Sequence, residues 1–413
     1  MHRRSVLLTA FFLLIGQPQQ ALASPPRTEI RFLAYFAETL RDTMRQIVDD
    51  FNATHPGIVV RHEFVPFEAL KRQLLVANAS GDLPDVVMID NPDNAAFAQA
   101  GVFLDLTDLV AQWEGNGHFF AGPWRSTFYN GRQYGIPFTS DCLALFYDRE
   151  ALQRAGVRVP ETWEELRAAA RKLTAPGRSG LAISAFRSEE GTFQFLPWFL
   201  SAGGDVGQLD SPAGVRAMEF LRALIVDGSM SAEVIGWTQY DAQKQFSAGK
   251  AAMMINGPWT LGSIERDSPS LKYGIAKVPK DTRFASVLGG ENVAITRQAH
   301  REAAWVFVRY LASREIVGRF ARATGYLPPR TDVVRPGDSS DLDPRLSMFM
   351  RQIEFASPRG PHARWPDISN LISRALQEGL SGSKPPRQAL EDAQRGLRAL
   401  DGPGARGASR DGG

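Results

Sequence analysis

Residues 249–259 have the sequence GKAAMMINGPW. The segment from Ala251 to Ile255 is apolar throughout, which is typical of a strand buried on both faces of a sheet. The Asn-Gly-Pro that follows predicts a sharp turn, because glycine tolerates unusual dihedral angles and proline fixes its own. We therefore expect a central strand that ends by presenting Trp259 in a fixed position.

The amino-terminal part of the chain predicts further strands of this kind. Apolar strand candidates occur at 30–34, 58–60 and 84–90, and helical segments separate them. The first helical segment has one apolar face, formed by Leu40, Met44, Ile47, Val48 and Phe51. Apolar strands that alternate with helices predict an α/β fold with a parallel sheet covered on both faces.

The rest of the chain repeats this alternation. Another strand candidate occupies 143–147, and helical faces recur at 304–311 and 316–320. The sequence from Thr162 to Glu165, Thr-Trp-Glu-Glu, predicts a capping box that opens a helix extending to Leu173. The pattern is therefore α/β along most of its length.

Length and charge limit the class of protein. The chain has 413 residues, against ~150 for an ordinary domain, so two or more lobes are expected. It has 47 Lys and Arg against 45 Asp and Glu, and loss of Arg3 and Arg4 with a leader would leave 45 of each. A neutral chain does not favour nucleic acid as a partner. The single cysteine, Cys142, excludes an internal disulfide framework and a paired-cysteine zinc site.

Residues 1–23 have the pattern of a cleavable signal peptide. Arg3 and Arg4 form a basic start, an apolar run occupies 6–15, and Ala-Leu-Ala at 21–23 is a small-x-small cleavage site. The apolar run is about half the ~20 residues needed to span a membrane. No cysteine follows it, so we expect a periplasmic protein and not a lipoprotein. General secretion and twin-arginine export both remain open, and the tail at 401–413 is expected to be disordered.

Motifs for common catalytic chemistry are absent. The sequence has no His-Glu-x-x-His, Cys-x-x-Cys, Gly-x-Ser-x-Gly or phosphate-loop pattern. A Gly-x-Gly-x-x-Gly match at 402–407 has no strand before it and no helix after it. No cofactor and no metal are therefore expected. A pair of glycosidase carboxylates stays open, because such pairs come from distant parts of a chain.

Several segments together resemble the extracellular solute-binding proteins of bacterial ABC sugar importers, above all the maltose- and trehalose-binding type. They follow the order of the family and extend over about residues 28–400. Besides 249–259 they are PDVV at 84–87, YGIP at 134–137 with LFYD at 145–148, PETWEEL at 160–166, GG at 289–290, GYLP at 325–328 and SG at 381–382.

The resemblance implies a two-lobed periplasmic-binding-protein fold of type II. Its lobes are discontinuous and joined by hinge crossings, with the ligand cleft between them. The first lobe would comprise 28–138 plus 287–328, and the second 139–286 plus 329–400. Such a protein is not an enzyme, acts as a monomer, and delivers its ligand to the membrane permease of an ABC importer.

A sugar site needs aromatic rings for the faces of the sugar and charged or amide groups for its hydroxyls. The resemblance and the strand ends together predict twelve ligand-binding residues: Trp259, Asp141, Arg359, Asp90, Asn91, Glu38, Phe36, Trp198, Trp237, Gly289, Glu291 and Asn292. Asp90 and Asn91 end an apolar strand, where ligands of parallel sheets bind. A core position is the alternative for the three tryptophans, and a solvated turn for Asp141.

The function expected from these features is capture of a carbohydrate, such as the disaccharides trehalose or maltose. Within the same fold, a glycerol phosphodiester or another polyol is the alternative ligand. A secreted glycoside hydrolase or lyase is the alternative from a different class, since it would share export, aromatic residues and carboxylates.

Export of the full-length chain from a Gram-negative host should yield a mature protein that begins at Ser24. The reason is that Ala-Leu-Ala at 21–23 is the one good cleavage site after the apolar run. Mass spectrometry of the periplasmic fraction measures the start. Recovery of uncleaved chain in the membrane fraction would contradict the predicted leader.

Overall fold

The computed structural model describes residues 27–36, 38–334 and 345–400, without the side chains of residues 38 and 39. The predicted signal peptide and the predicted disordered tail lie outside the described residues. Among the helices of the described part, none is long and apolar enough to cross a membrane.

Thirteen strands occur within the described residues. In chain order they are β1 Thr28–Ala34, β2 Ile58–Phe64, β3 Val86–Asp90, β4 Phe128–Tyr129, β5 Arg132–Gln133, β6 Ile136–Pro137, β7 Ala144–Asp148, β8 Ser179–Ala182, β9 Ala251–Asn256, β10 Tyr273–Ala276, β11 Ser286–Leu288, β12 Glu291–Ile295 and β13 Ala356–Pro358.

The α-helices lie between and after these strands. They are α1 Glu38–Thr54, α2 Phe67–Ser80, α3 Asn94–Gln99, α4 Thr107–Ala111, α5 Ala121–Arg125, α6 Arg149–Ala155, α7 Trp163–Leu173, α8 Glu189–Ser201, α9 Pro212–Val226, α10 Gln239–Ser247, α11 Leu261–Asp267, α12 Arg301–Leu311, α13 Arg314–Thr324, α14 Leu346–Ile353, α15 Trp365–Ser381 and α16 Pro386–Leu400.

The first sheet has the strand order β2-β1-β3-β12-β6. β1 is parallel to both of its neighbours, which confirms the predicted parallel arrangement of the three amino-terminal strands. β12 is antiparallel to β3 and β6, so the complete sheet is mixed. Apolar residues of α1, α12 and α13 cover one face, and those of α2 and α3 cover the other. The predicted apolar face of α1 is buried along its whole length.

The second sheet has the order β10-β7-β9-β8. β9 lies in its interior and is buried at every position, as predicted from its apolar sequence. Helices α7, α8, α9 and α15 build the larger apolar cluster on this sheet, while α10, α11 and α14 contribute to the smaller one. The end of β9 is thus held between strands on both sides and between packed helices.

The chain passes between the two sheets more than once. It leaves the first sheet at Pro137 and enters the second at Ala144, then returns between Ala276 and Glu291. Near the return, β11 pairs in parallel with β13, which lies in the last part of the chain. These passages give two discontinuous lobes, whereas the boundaries given above remain a prediction.

One predicted detail of helix capping is wrong. The Thr162 hydroxyl accepts from the Glu165 N–H, as a cap does, but the Glu165 carboxylate accepts from the Glu161 N–H and not from that of Thr162. The Trp163 N–H donates to the Lys280 carbonyl, and the Lys280 N–H donates to the Glu161 carbonyl. These two backbone hydrogen bonds hold the segment around Thr162 extended. A complete capping box occurs at Thr238 and Asp241 instead, where α10 begins.

Candidate functional site

A cavity of about 380 Å³ lies where the two lobes face each other. Its walls are formed by the end of β3, the segments after β1 and β9, the first turns of α8 and α10, the start of β12, and the residue after β13. The lining residues are Tyr35, Phe36, Arg41, Phe67, Asp90, Asp141, Glu189, Glu190, Phe193, Gln239, Tyr240, Trp259, Thr260, Ser263, Arg266, Gly290, Glu291, Tyr326 and Arg359. Strand ends and helix starts meet here, which is the usual ligand position in α/β sheets.

Aromatic rings form one part of the wall. The half-buried Trp259 ring lies 6.1 Å from the Phe193 ring and 6.4 Å from the Tyr326 ring, between centroids. Trp259 also packs against apolar clusters of both lobes. A Cβ added to Gly257 would lie 2.0 Å from the Trp259 ring, so the glycine of the Asn-Gly-Pro turn is what allows the indole to occupy this place.

A buried guanidinium, that of Arg359, connects the lobes at the floor of the cavity. It makes a two-pronged contact with Asp90, from Nη1 at 2.8 Å and Nη2 at 2.6 Å. Nη1 also donates to Glu189 at 2.7 Å, Nη2 to Asn91 at 3.3 Å, and Nε to the Leu288 carbonyl at 3.3 Å. All five N–H groups of the guanidinium therefore have acceptors within the protein.

The folding of three segments brings this network together. β13 pairs with β11 and so places Arg359 beside Leu288. Asp90 ends β3 of the first sheet, and Glu189 begins α8 of the second lobe. The second oxygen of Glu189 accepts from the Trp365 indole N–H at 3.0 Å, so this carboxylate is held from both sides.

Two further carboxylates face the cavity without a cation. Glu291 pairs across the sheet with Asp90, and its carboxylate accepts from the Thr139 and Tyr35 hydroxyls. Burial raises the pKa of Glu291 to about 7. Asp141 is 4% exposed, and its Oδ1 has no hydrogen-bond partner among the described residues. Burial, and then the nearby Glu291, raise the pKa of Asp141 well above its usual value.

Of the residues predicted from sequence, the structure brings Trp259, Asp141, Arg359, Asp90, Glu291 and Phe36 to the cavity wall. Asn91 lies just behind the wall, where it accepts from Arg359. Gly289 lies against the Asp141 carboxylate, since an added Cβ there would be 2.0 Å from Oδ1.

Other predicted residues lie elsewhere. Trp198 is fully buried among Trp163 and Phe220 in the second lobe, because it falls on the core face of α8. Asn292 hydrogen-bonds Ser126, since side chains alternate along β12 and Glu291 takes the cavity side.

Trp237 is half-buried against two core clusters and does not line the cavity. Glu38 is the first residue of α1, and its side chain lies outside the description.

Sequence reasoning missed several wall residues, among them Glu189, Phe193, Tyr35 and Tyr326. A signal existed for Glu189, because Ser188 followed by two acids is a typical helix start, and Ser188 does cap α8. Tyr326 belongs to the GYLP segment that carried part of the resemblance. Tyr35 and Phe193 had no sequence signal, because Tyr35 directly follows an apolar strand and Phe193 is one of several aromatic residues of α8.

The site has no features of a metal centre, because no group of His, Cys, Asp and Glu suited to a metal occurs among the described residues. Its chemistry is that of recognition. Flat apolar rings and carboxylates that can accept hydrogen bonds line the same cavity, and this suits a ligand with apolar faces and a polar rim.

Comparison with known proteins agrees with this geometry. A family model of bacterial extracellular solute-binding proteins matches residues 46–345. The multiple sugar-binding protein of Streptococcus mutans is 24% identical over 356 residues, which cover 80% of this chain and 83% of the relative.

Solved structures are similar over most of the chain. A solute-binding protein of an ABC transporter from Thermotoga lettingae, bound with α-D-tagatose, is 26% identical with a TM-score of 0.85, and the match covers 91% of this chain and 100% of that one. A maltose-bound protein of T. maritima is 27% identical with a TM-score of 0.83, over 90% and 100% of the two chains.

The predicted two-lobed type II fold is confirmed by these structures. The expectation that the chain is not an enzyme is confirmed too, because the matching family consists of binding proteins. The chain belongs to the bacterial extracellular solute-binding proteins.

Proposed function

We propose that this protein is an exported carbohydrate-binding protein, which captures a sugar in the cavity between its lobes and delivers it to the permease of an ABC importer. The expected ligand is a disaccharide such as maltose or trehalose. The mature protein would act in the periplasm as a monomer.

The observation that carries the proposal is that Trp259 lines the same cavity as two buried carboxylates without a bonded cation among the described residues, Asp141 and Glu291. Its indole is fixed by the glycine turn after a central strand, so it loses little freedom when a ligand stacks on it. Asp141 and Glu291 face the same cavity and can accept hydrogen bonds from hydroxyl groups. The sugar ligands of the relatives support the same class of ligand.

The charged groups of the cavity wall disfavour the glycerol phosphodiester as a ligand. Asp90 and Glu189 already share Arg359, while Asp141 and Glu291 have no cationic partner among the ion pairs of the described residues. A phosphate group placed against Asp141 and Glu291 would add negative charge beside two buried acids. An uncharged polyol or sugar can donate hydrogen bonds to these acids whether they are ionised or protonated.

A thermal-shift screen over monosaccharides and disaccharides tests the proposal, because a ligand stabilises the folded state by RT ln(1 + [L]/Kd). We expect an upward shift with at least one sugar and recovery of that sugar unchanged after long incubation. A panel without any shift would contradict carbohydrate binding, and a shortened product would favour the hydrolase alternative.

Trp259→Ala should weaken the binding of that sugar by at least about 2 kcal/mol, roughly 30-fold, because a central aromatic contact is lost. Trp259→Phe should keep part of the affinity, since a smaller flat ring remains. Calorimetry measures both, together with the urea midpoint of each ligand-free variant. The matched control is Trp237→Ala, which truncates another half-buried tryptophan that does not line the cavity. Equal losses of affinity in the two alanine variants would contradict stacking on Trp259.

Asp141→Asn should lower sugar affinity and not stability, whereas Arg359→Gln should lower stability. Asp141→Asn should lower sugar affinity by about 1.5–3 kcal/mol, the range for a hydrogen bond to a charged group. It should leave the ligand-free melting temperature unchanged or higher, because a buried carboxylate without a partner is removed. Arg359→Gln should instead reduce the free energy of unfolding by about 3–5 kcal/mol, because Asp90 and Glu189 lose their shared cation.

Melting curves and calorimetry on both variants decide the matter. The assignment of roles fails if Asp141→Asn melts far lower with affinity intact, or if Arg359→Gln keeps its stability.

A further inference from the structure

The buried charges around the cavity do not balance. Four carboxylates line it at no more than 6% exposure, those of Asp90, Asp141, Glu189 and Glu291. Arg359 is the one cation of the described lining that is buried to the same degree. A buried carboxylate without a counter-charge either takes up a proton or attracts a cation.

Arg359 bonds directly to only two of the four carboxylates. Its Nη1 and Nη2 atoms bond to Asp90 and Glu189, and its remaining N–H groups are taken by Asn91 and Leu288. Among the described residues, the side chains that donate to the Glu291 carboxylate are the Tyr35 and Thr139 hydroxyls, which carry no positive charge. Asp141 keeps one buried oxygen, Oδ1, that no donor of the described chain reaches.

The other charged groups of the described lining do not bond to Asp141 or Glu291. Arg41 donates from Nε to the Phe36 carbonyl at 3.2 Å. Arg266 is exposed and pairs with Asp267 at 3.1 Å. Glu190 accepts from the Gln239 N–H at 2.7 Å and adds a further acid to the wall. In the hydrogen bonds and ion pairs of the described residues, neither arginine reaches Asp141 or Glu291.

We propose that the ligand is a saccharide that carries a protonated primary amine, and that this ammonium group lies against Asp141 and Glu291. This inference rests on the proposed function, because it names the kind of sugar that the same cavity takes. An ammonium group replaces a sugar hydroxyl with little change in shape and supplies three N–H donors. It would donate hydrogen bonds on the cavity side of Asp141 and Glu291 and would place a cation beside the two buried carboxylates that Arg359 does not bond.

The test compares sugars that differ in a single group. Calorimetry at pH 7.5 on the mature full-length protein measures glucosamine against glucose, galactosamine against galactose, and the fully deacetylated chitosan disaccharide against cellobiose. At least one amino sugar should bind about tenfold or more tightly than its hydroxyl counterpart, the effect of a hydrogen bond between two charged groups. Its N-acetylated form, which has no charge, should lose that preference.

Variants test whether Asp141 and Glu291 cause the preference for the amino sugar. Asp141→Asn should reduce the preference for the amine to about threefold or less, and Glu291→Gln makes the same test should Asp141→Asn not fold. The matched control is Asp105→Asn, which removes a carboxylate that pairs with Arg132 and does not line the cavity. Asp105→Asn should keep the full preference for the amine.

The possible failures are distinct. If neutral sugars bind in a manner that depends on Trp259 and their amino counterparts bind no better, the amine proposal is overturned while carbohydrate binding stands. If neither class binds, both proposals fail. If the preference survives in both Asp141→Asn and Glu291→Gln, the ammonium group does not lie where we place it.

Discussion

The buried ion pairs of Arg359 are the constraint on which the cavity depends. One guanidinium holds Asp90 at the end of a first-lobe strand and Glu189 at the start of a second-lobe helix. Burial of these carboxylates without a cation would be strongly unfavourable. The ion pairs therefore fix how the two lobes face each other at this point, and they keep the strand ends and helix starts around one shared space.

This constraint also decides which residues are left for a ligand. Arg359 is one of the predicted ligand-binding residues, yet in the structure its guanidinium makes a two-pronged contact with Asp90. Under the proposed function, the ligand is bound by groups that are not used up by contacts within the protein, namely the Trp259 ring and the Asp141 and Glu291 carboxylates. In that proposal Arg359 positions Asp90 and Glu189 and does not itself contact the ligand.

The sequence predicts the parts that depend on local patterns. Apolar runs predict strands β1, β3 and β9. Gly257 does precede Trp259, but its backbone is ordinary and extended, with φ −105°, so the glycine is needed because a Cβ there would collide with the indole and not for an unusual dihedral angle. The pairings at the site do not follow from local patterns, because Arg359 is 269 residues from Asp90 and 170 from Glu189. The position of Trp198 could not be predicted either, because the sequence does not indicate whether an aromatic residue of α8 faces the core or the cavity.

The most direct test of this account is a crystal structure of the protein grown with a disaccharide that stabilises it. We expect the sugar to lie in the cavity between the lobes, with one face on the Trp259 ring and polar groups at Asp141 and Glu291. The five N–H groups of Arg359 should keep their protein acceptors. A sugar bound outside this cavity, or an Arg359 that has left Asp90 to contact the sugar, would contradict the account.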